Sequence, residues 1–549
     1  MTLALSILCH PASVHAQRCV LTELQKLVAS DAGPSAQFGG SVSVSKQFAI
    51  IGAWSASSEV GSPGAAYVFR RADQGTPADP SDDVWIPDAK LLADDGRSGE
   101  HFGWSVSVSG NYAIAGARFN PGTVGRASGA AYVFRLNNNE TPSNPDDDFW
   151  VQEAKLTAQD AAQGDEFGLA VGISGDRAVV GARLNDDDGE DSGSAYVFRR
   201  DDNGTPGNNS DDVWVQESKL TASDGSEGAN FGFSVAIQGD TVVIGAWHDS
   251  SVGTESGSAY VFRKDDNNTP TDPRDDFWVE EDKLVPSDGA TFDNFGFAVA
   301  VDRDRTVIGS WLDDDHGSLS GSAYVFRRDH NGTSTFRDDD FWVEEVKLTA
   351  SDAAAGDEFG KSVAISDTLI AVGSYEDDDA CSDDEVFIPD CGENTACPGS
   401  CGPCDPNTFT CRASLPECCD SGSAYVFRLD DGATPFDPTD DSWFETTKVR
   451  ASDTKPGDFF GRVGLNGGFL ITGSLDTAAG TSPGSSAGAS YAYYVDGNCT
   501  TLEDFADFQI CFSDDGGGIQ TGCASFNFDE DNDVDLTDLR RLLLTFTGP

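Results

Sequence analysis

Apolar and polar positions alternate along this chain in short runs, as in Ser41-Val42-Ser43-Val44-Ser45, with clusters of Gly, Asp, Asn and Pro between them. A period of two bounded by turn residues predicts β-strands rather than helices. The runs themselves repeat. Phe-Gly opens one at Phe38, Phe102, Phe167, Phe231, Phe295, Phe359 and Phe460, at spacings of 64, 65, 64, 64, 64 and 101 residues. Twelve residues before each Phe stands a Lys (Lys26, Lys90, Lys155, Lys219, Lys283, Lys347, Lys448), and five after each Lys an Asp, from Asp31 to Asp453.

Each period holds four strand-like runs. The first follows Phe-Gly, and the second ends in Gly-Ala or Gly-Ser, as in Ile308-Gly309-Ser310. The third reads AYVFR, as in Ala66–Arg70, and the fourth opens with a Trp such as Trp85, five residues before the Lys. Four strands per unit in seven copies predict an all-β fold, a seven-bladed β-propeller of four-stranded blades. The last unit, Phe460 to Val495, lacks a fourth strand, while Lys26-Leu27 precedes the other three of the first. The N-terminal strand near residues 20–28 is therefore expected to close the ring as the outer strand of blade seven, removing an open edge. Cys19 and Cys499 would then meet where that closure ends.

Residues 1–16 read as a signal peptide, with a short apolar run from Leu3 to Leu8 and a small-residue cleavage site at Ala16. The propeller is assigned to residues 17–496 and a C-terminal module to 497–549. The last Phe-Gly spacing is long because of an insertion, residues 381–419, with eight cysteines between Cys381 and Cys419. Cleavage would leave 12 cysteines, an even number, which points to an oxidising compartment and a disulfide knot. Zinc is the competing account, because Cys401 and Cys404 form a CxxC. The chain is expected to be secreted or on the cell surface, with no transmembrane segment.

Charge narrows the partners. The chain has 93 Asp+Glu against 35 Lys+Arg, a net charge of −58, so nucleic acid is excluded by repulsion and anionic membrane surfaces are poor partners for the same reason. The acids gather in loops: Asp186-Asp187-Asp188, Asp313-Asp314-Asp315 and Asp377-Asp378-Asp379 between second and third strands, and Asp201-Asp202 or Asp265-Asp266 between third and fourth. Such clusters suit calcium, yet they are also ordinary hairpin chemistry on a solvated rim. The strand Trp residues are expected to pack between blades, whereas Trp54, Trp247 and Trp311, where second strands end, are candidates for an exposed aromatic site.

Near the C-terminus, Asn527 to Asp538 fits a twelve-residue EF-hand loop, with Asn527, Asp529, Asp531, Asp535 and Asp538 as side-chain ligands and the Asp533 carbonyl completing the set. Calcium (Ca2+) is the expected ion, followed by a helix from Leu539 to Phe546. A small α-helical module is thus expected here. The tandem of this loop and Leu502–Phe508 resembles a dockerin, which implies a cohesin-like partner.

The repeat itself resembles the FG-GAP repeat of integrin α-subunit propellers, with the Phe-Gly in all units and variants of the second motif at Gly52-Ala53-Trp54 through Gly473-Ser474-Leu475. That resemblance implies adhesion or ligand binding by a propeller. It also implies calcium loops between first and second strands, but turns such as Ser174-Gly175-Asp176-Arg177 have no room for them. Catalytic motifs are scarce, and the acid pairs recur where an active site would need one asymmetric cluster. The expectation is a monomeric, non-enzymatic binding or adhesion protein recognising an extracellular protein or carbohydrate. The alternative is a carbohydrate-active enzyme or lectin tethered by its dockerin-like tail.

Overall fold

The computed structural model describes residues 21–495, except 378–385, 389–410, 414–420, 431–440, 454–457, 476–486 and short stretches at loop tips. The signal segment, Cys19, Cys499 and the whole C-terminal module with its ligands from Asn527 to Asp538 lie outside the described residues. So does most of the cysteine-rich insertion, of which Val386–Ile388 and Cys411–Ala413 form a small antiparallel pair. That pair falls between the second and third strands of blade six, Leu369–Ser374 and Ser423–Asp430, where the spacing placed it.

Seven four-stranded antiparallel sheets make up the ring. Blade one runs Phe38–Val44, Phe48–Ala53, Ala65–Ala72 and Val84–Leu91, and the next five blades repeat this order. Blade seven joins Arg462–Asn466, Phe469–Ser474 and Ala489–Val495 to the N-terminal strand Leu21–Leu27. Leu21 pairs with Val495 and Leu27 with Ser490, so the closing strand is antiparallel, like every other outer strand.

The repeated residues are the ones that pack blades. Phe38 meets Tyr67 and Phe69 of the third strand edge-on, at 5.4 and 6.2 Å, and every blade repeats the contact through to Phe460 on Tyr491 at 5.7 Å. Burying one such aromatic contributes about 2 kcal/mol. The outer-strand Trp residues pack on the preceding blade, as expected: Trp85 on Phe469 at 5.8 Å and Trp150 on Phe48 at 5.3 Å. Trp150 Nε1 also donates to Asp88 at 2.9 Å, and Trp278 Nε1 to Glu217 at 2.9 Å.

The two signature dipeptides form one seam. A Cβ built on Gly309 would lie 1.8 Å from the Gly360 carbonyl oxygen of the next blade, and one on Gly473 would lie 2.2 Å from that of Gly39 across the closure. Only glycine admits this approach, which is why Phe-Gly and Gly-Ala/Ser travel together. The first strands surround an axial cavity of about 240 Å³ lined by Val, Ala and Ile side chains with a few serines.

Candidate functional site

Each loop between second and third strands lies against the connection into the next blade: Phe102 N donates to the Pro63 carbonyl at 2.8 Å, and Glu166 N to that of Ala127 at 3.0 Å. These loops and connections therefore share one face, and lysines engage part of each acidic cluster on it. Lys347 Nζ lies 2.8 Å from Asp288, 3.0 Å from Asp313 and 2.5 Å from Asp315. Lys219 pairs with Asp160 and Asp187, and Lys448 with Asp352 and Asp377. The third-strand Tyr completes the arrangement, Tyr324 Oη lying 2.8 Å from an Asp288 oxygen and 3.0 Å from an Asp313 oxygen, with one proton to share between them.

In the other loop family, Asn203 and Asn267 take left-handed φ of 51°, and their N–H groups donate to Asp201 and Asp265 at 2.9 and 2.8 Å. This is turn chemistry. No group of three or more metal-ligating side chains arises among the described residues.

The positions that vary between copies converge elsewhere. One directly follows Phe-Gly, the other directly follows the second-strand Gly-Ala or Gly-Ser, and both lie at the mouth of the axis. They form a half-buried belt of rings and cations. Trp54 packs on Trp104 at 5.3 Å, and the Arg118 guanidinium lies 3.5 Å above the Trp104 ring. Glu166 joins Arg118 at 3.8 Å to Arg183 at 3.0 Å, and Arg183 lies over Phe233 at 5.8 Å. Phe233 touches Trp247 and Phe297 at 4.8 and 4.9 Å, and Phe297 touches Trp311 at 5.2 Å. Lys361 sits over Trp311 and Tyr375 at 4.5 and 5.3 Å, and Arg462 over Tyr375 at 4.6 Å. Three positions carry neither ring nor cation: Leu169, which is buried, and Gly40 and Leu475, where the belt opens.

Three features describe the belt chemically. In a chain of net charge −58, its charged members include Arg118, Arg183, Lys361 and Arg462. The residue before every Phe-Gly, from Gln37 and His101 to Phe459, holds a left-handed φ between 47° and 60° without being glycine. Such conformations cost about 1 kcal/mol each and gather at functional sites. Finally, His101 Nδ1, Arg118 Nε, Trp311 Nε1 and Arg462 Nη1 are buried with no hydrogen-bond partner among the described residues. All but the histidine nitrogen can only donate. Burial, with the Arg118 charge adding to it, lowers the His101 pKa below the ordinary histidine value, so the ring is neutral at pH 7.

Trp54, Trp247 and Trp311 are thus brought to one site, though half-buried rather than standing free. Arg118, Arg183, Lys361, Tyr375 and Arg462 escaped the sequence reading. Their signal was available: they occupy the variable positions inside an otherwise constant frame.

Fold and belt define a ring with one irregular mouth, the form of a propeller used for ligand binding. The FG-GAP repeat family profile matches residues 21–69, 85–134, 150–198, 214–262, 278–326 and 342–387, more than half of the chain, and the protein belongs to that family. Each matched stretch begins on an outer strand and ends in the third strand of the following blade or, for the last, inside the insertion, so the sequence unit is offset from the blade by one strand. None of the curated proteins matches the chain. No helix among the described residues is long and apolar enough to cross a membrane.

Proposed function

We infer that the protein is a secreted or cell-surface binding protein without catalytic activity, engaging an extracellular glycan or protein at the axial belt. The observation that carries this reading is the belt itself, a continuous run of aromatic faces and cations with unpartnered donors on an otherwise acidic molecule. Aromatic faces with polar groups aimed between them suit an oxygen-rich ligand. Membership of a family whose propellers are typically extracellular supports the location. The C-terminal module holds calcium at Asn527, Asp529, Asp531, Asp533, Asp535 and Asp538 and anchors the propeller to a cohesin-like or other partner. Its loop spacing supports that role.

An array of glycans and matrix proteins probed with the labelled full chain tests the reading. The Trp54→Ala/Trp104→Ala variant loses the signal, while Asp314→Asn on the exposed rim keeps it, both with unchanged circular dichroism. Binding retained by the belt variant would overturn it.

A further inference from the structure

One sector of the belt continues outward into a pocket. A cavity of about 510 Å³ lies between the connection into blade two and that blade's own loop, lined by Arg97, Glu100, Phe119, Pro121 and Arg126 among others. Its volume fits one or two sugar units. It is joined to the belt through stacked rings: Phe119 lies 4.8 Å from His101, which stacks on Trp104 at 5.8 Å and touches Trp54 at 4.8 Å. Arg118 bridges the two, its guanidinium 4.5 Å from the Phe119 ring.

The repeat shows that this pocket is a local departure. At the place of Arg97, blades three to five carry Ala162, Ser226 and Ala290, and at the place of Arg126 they carry Glu190, Thr254 and Ser318. Between Asn120 and Arg126 the loop has no carboxylate, whereas its copies in blades three and five carry Asp triplets. The remaining acid, Glu100, is buried and accepts from Asn120 Nδ2 at 2.9 Å. The arginines at the pocket therefore have no structural explanation in the repeat, and guanidinium forks bind carboxylate and sulfate well.

We propose that this pocket takes the acid group of a glycan bearing a single acidic sugar, whose neighbouring rings stack along Phe119, Trp104 and Trp54. The proposal rests on the belt being the ligand site and names the ligand class. A polyanion is excluded by the net charge of −58, but one charge inside a Debye length of about 8 Å feels mainly the nearby arginines.

Titration calorimetry of the full chain decides the matter, using a glucuronic-acid-terminated disaccharide, its methyl ester, a sulfated disaccharide and the neutral glucose counterpart. The acid forms bind at least about ten-fold more tightly than the ester and the neutral sugar. Arg97→Gln/Arg126→Gln removes that preference while neutral-sugar binding persists, and the carboxylate and sulfate arms tell which acid is preferred. Equal affinity for acid and ester, or a preference untouched by the arginine variant, overturns the proposal and leaves the belt reading standing. Binding that survives Trp54→Ala/Trp104→Ala defeats the belt reading itself. Failure of every sugar to bind overturns the proposal.

Discussion

Lys26 Nζ lies 2.6 Å from Asp453 Oδ2, although 427 residues separate them. The same pair recurs in each blade: Lys155 with Asp95 at 2.6 Å, Lys283 with Asp224 at 2.6 Å and Lys347 with Asp288 at 2.8 Å. In each case the Asp enters a blade and meets the Lys on that blade's outer strand. For blade seven the outer strand is supplied by the other end of the chain. Lys26 and Asp453 are partly exposed, so the pair itself contributes only about 0.5 kcal/mol. Its value is as a marker of register.

The carboxylates of this network govern acid stability. Burial pushes Asp31, Asp95, Asp160, Asp224 and Asp288 upward, but the hydrogen bonds from Lys and Tyr outweigh it and hold them below the ordinary aspartate range. A lowered folded pKa gives stability that is complete above the unfolded value of about 3.9 and is lost as pH falls through the folded one. Burial raises Asp165 and Asp293 instead, so their protonation on the way down is stabilising. Thermal melts should therefore rise gently from pH 7, peak between about pH 4 and 5, and fall below that. Asp165→Asn/Asp293→Asn should flatten the rise and leave the acid fall; a steady loss from pH 7 downward would contradict this.

Gly309→Ala places a methyl group against the Gly360 carbonyl oxygen, which belongs to backbone fixed by its own blade. The seam must open, at a cost of about 3 kcal/mol. Urea denaturation should show the loss without a change in m. A neutral variant would mean that the blades are not in this contact.

Phe292 has φ 72° and is 53% exposed, at the position where neighbouring copies carry Gly99, Gly164, Gly228 and Gly356. A bulky side chain there is strained and more than half exposed. Phe292→Gly should stabilise the fold by about 1 kcal/mol in the same denaturation assay. A loss of stability would show that the ring has packing value.

Calcium separates the two parts of the chain. With Lys219, Lys347 and Lys448 occupying the acid clusters, chelator should leave the propeller melt unmoved. Calorimetry should find about one calcium per chain, lost in Asp529→Ala and Asp538→Ala. A melt lowered by chelator in those variants would relocate calcium to the blades.

The strands and their closure were legible because period-two runs and fixed offsets are local signals that survive copying. The Lys–Asp spacing of five was visible too, but its meaning was not: Lys90 pairs with Asp31, of the preceding copy, because the Asp belongs to the blade it enters. Asp187 and Asp315 stayed open between ligand and rim, since nothing in their own loop shows the Lys that reaches them. The belt was least legible. Trp104 and Arg118 stack only because the start of one blade's first strand lies beside the end of its second, and Arg183 meets Phe233 only across a blade boundary.

Amide hydrogen exchange on the full chain tests the closed ring most directly. Leu21–Leu27 is the edge strand paired to Ala489–Val495, so those of its amides that point into the ladder, every other one, should exchange slowly and together with the amides of Ala489–Val495, at the rate set by global unfolding. Exchange of Leu21–Leu27 at the rate of an unstructured peptide, with the blades still protected, would show that the N-terminal strand does not close the ring.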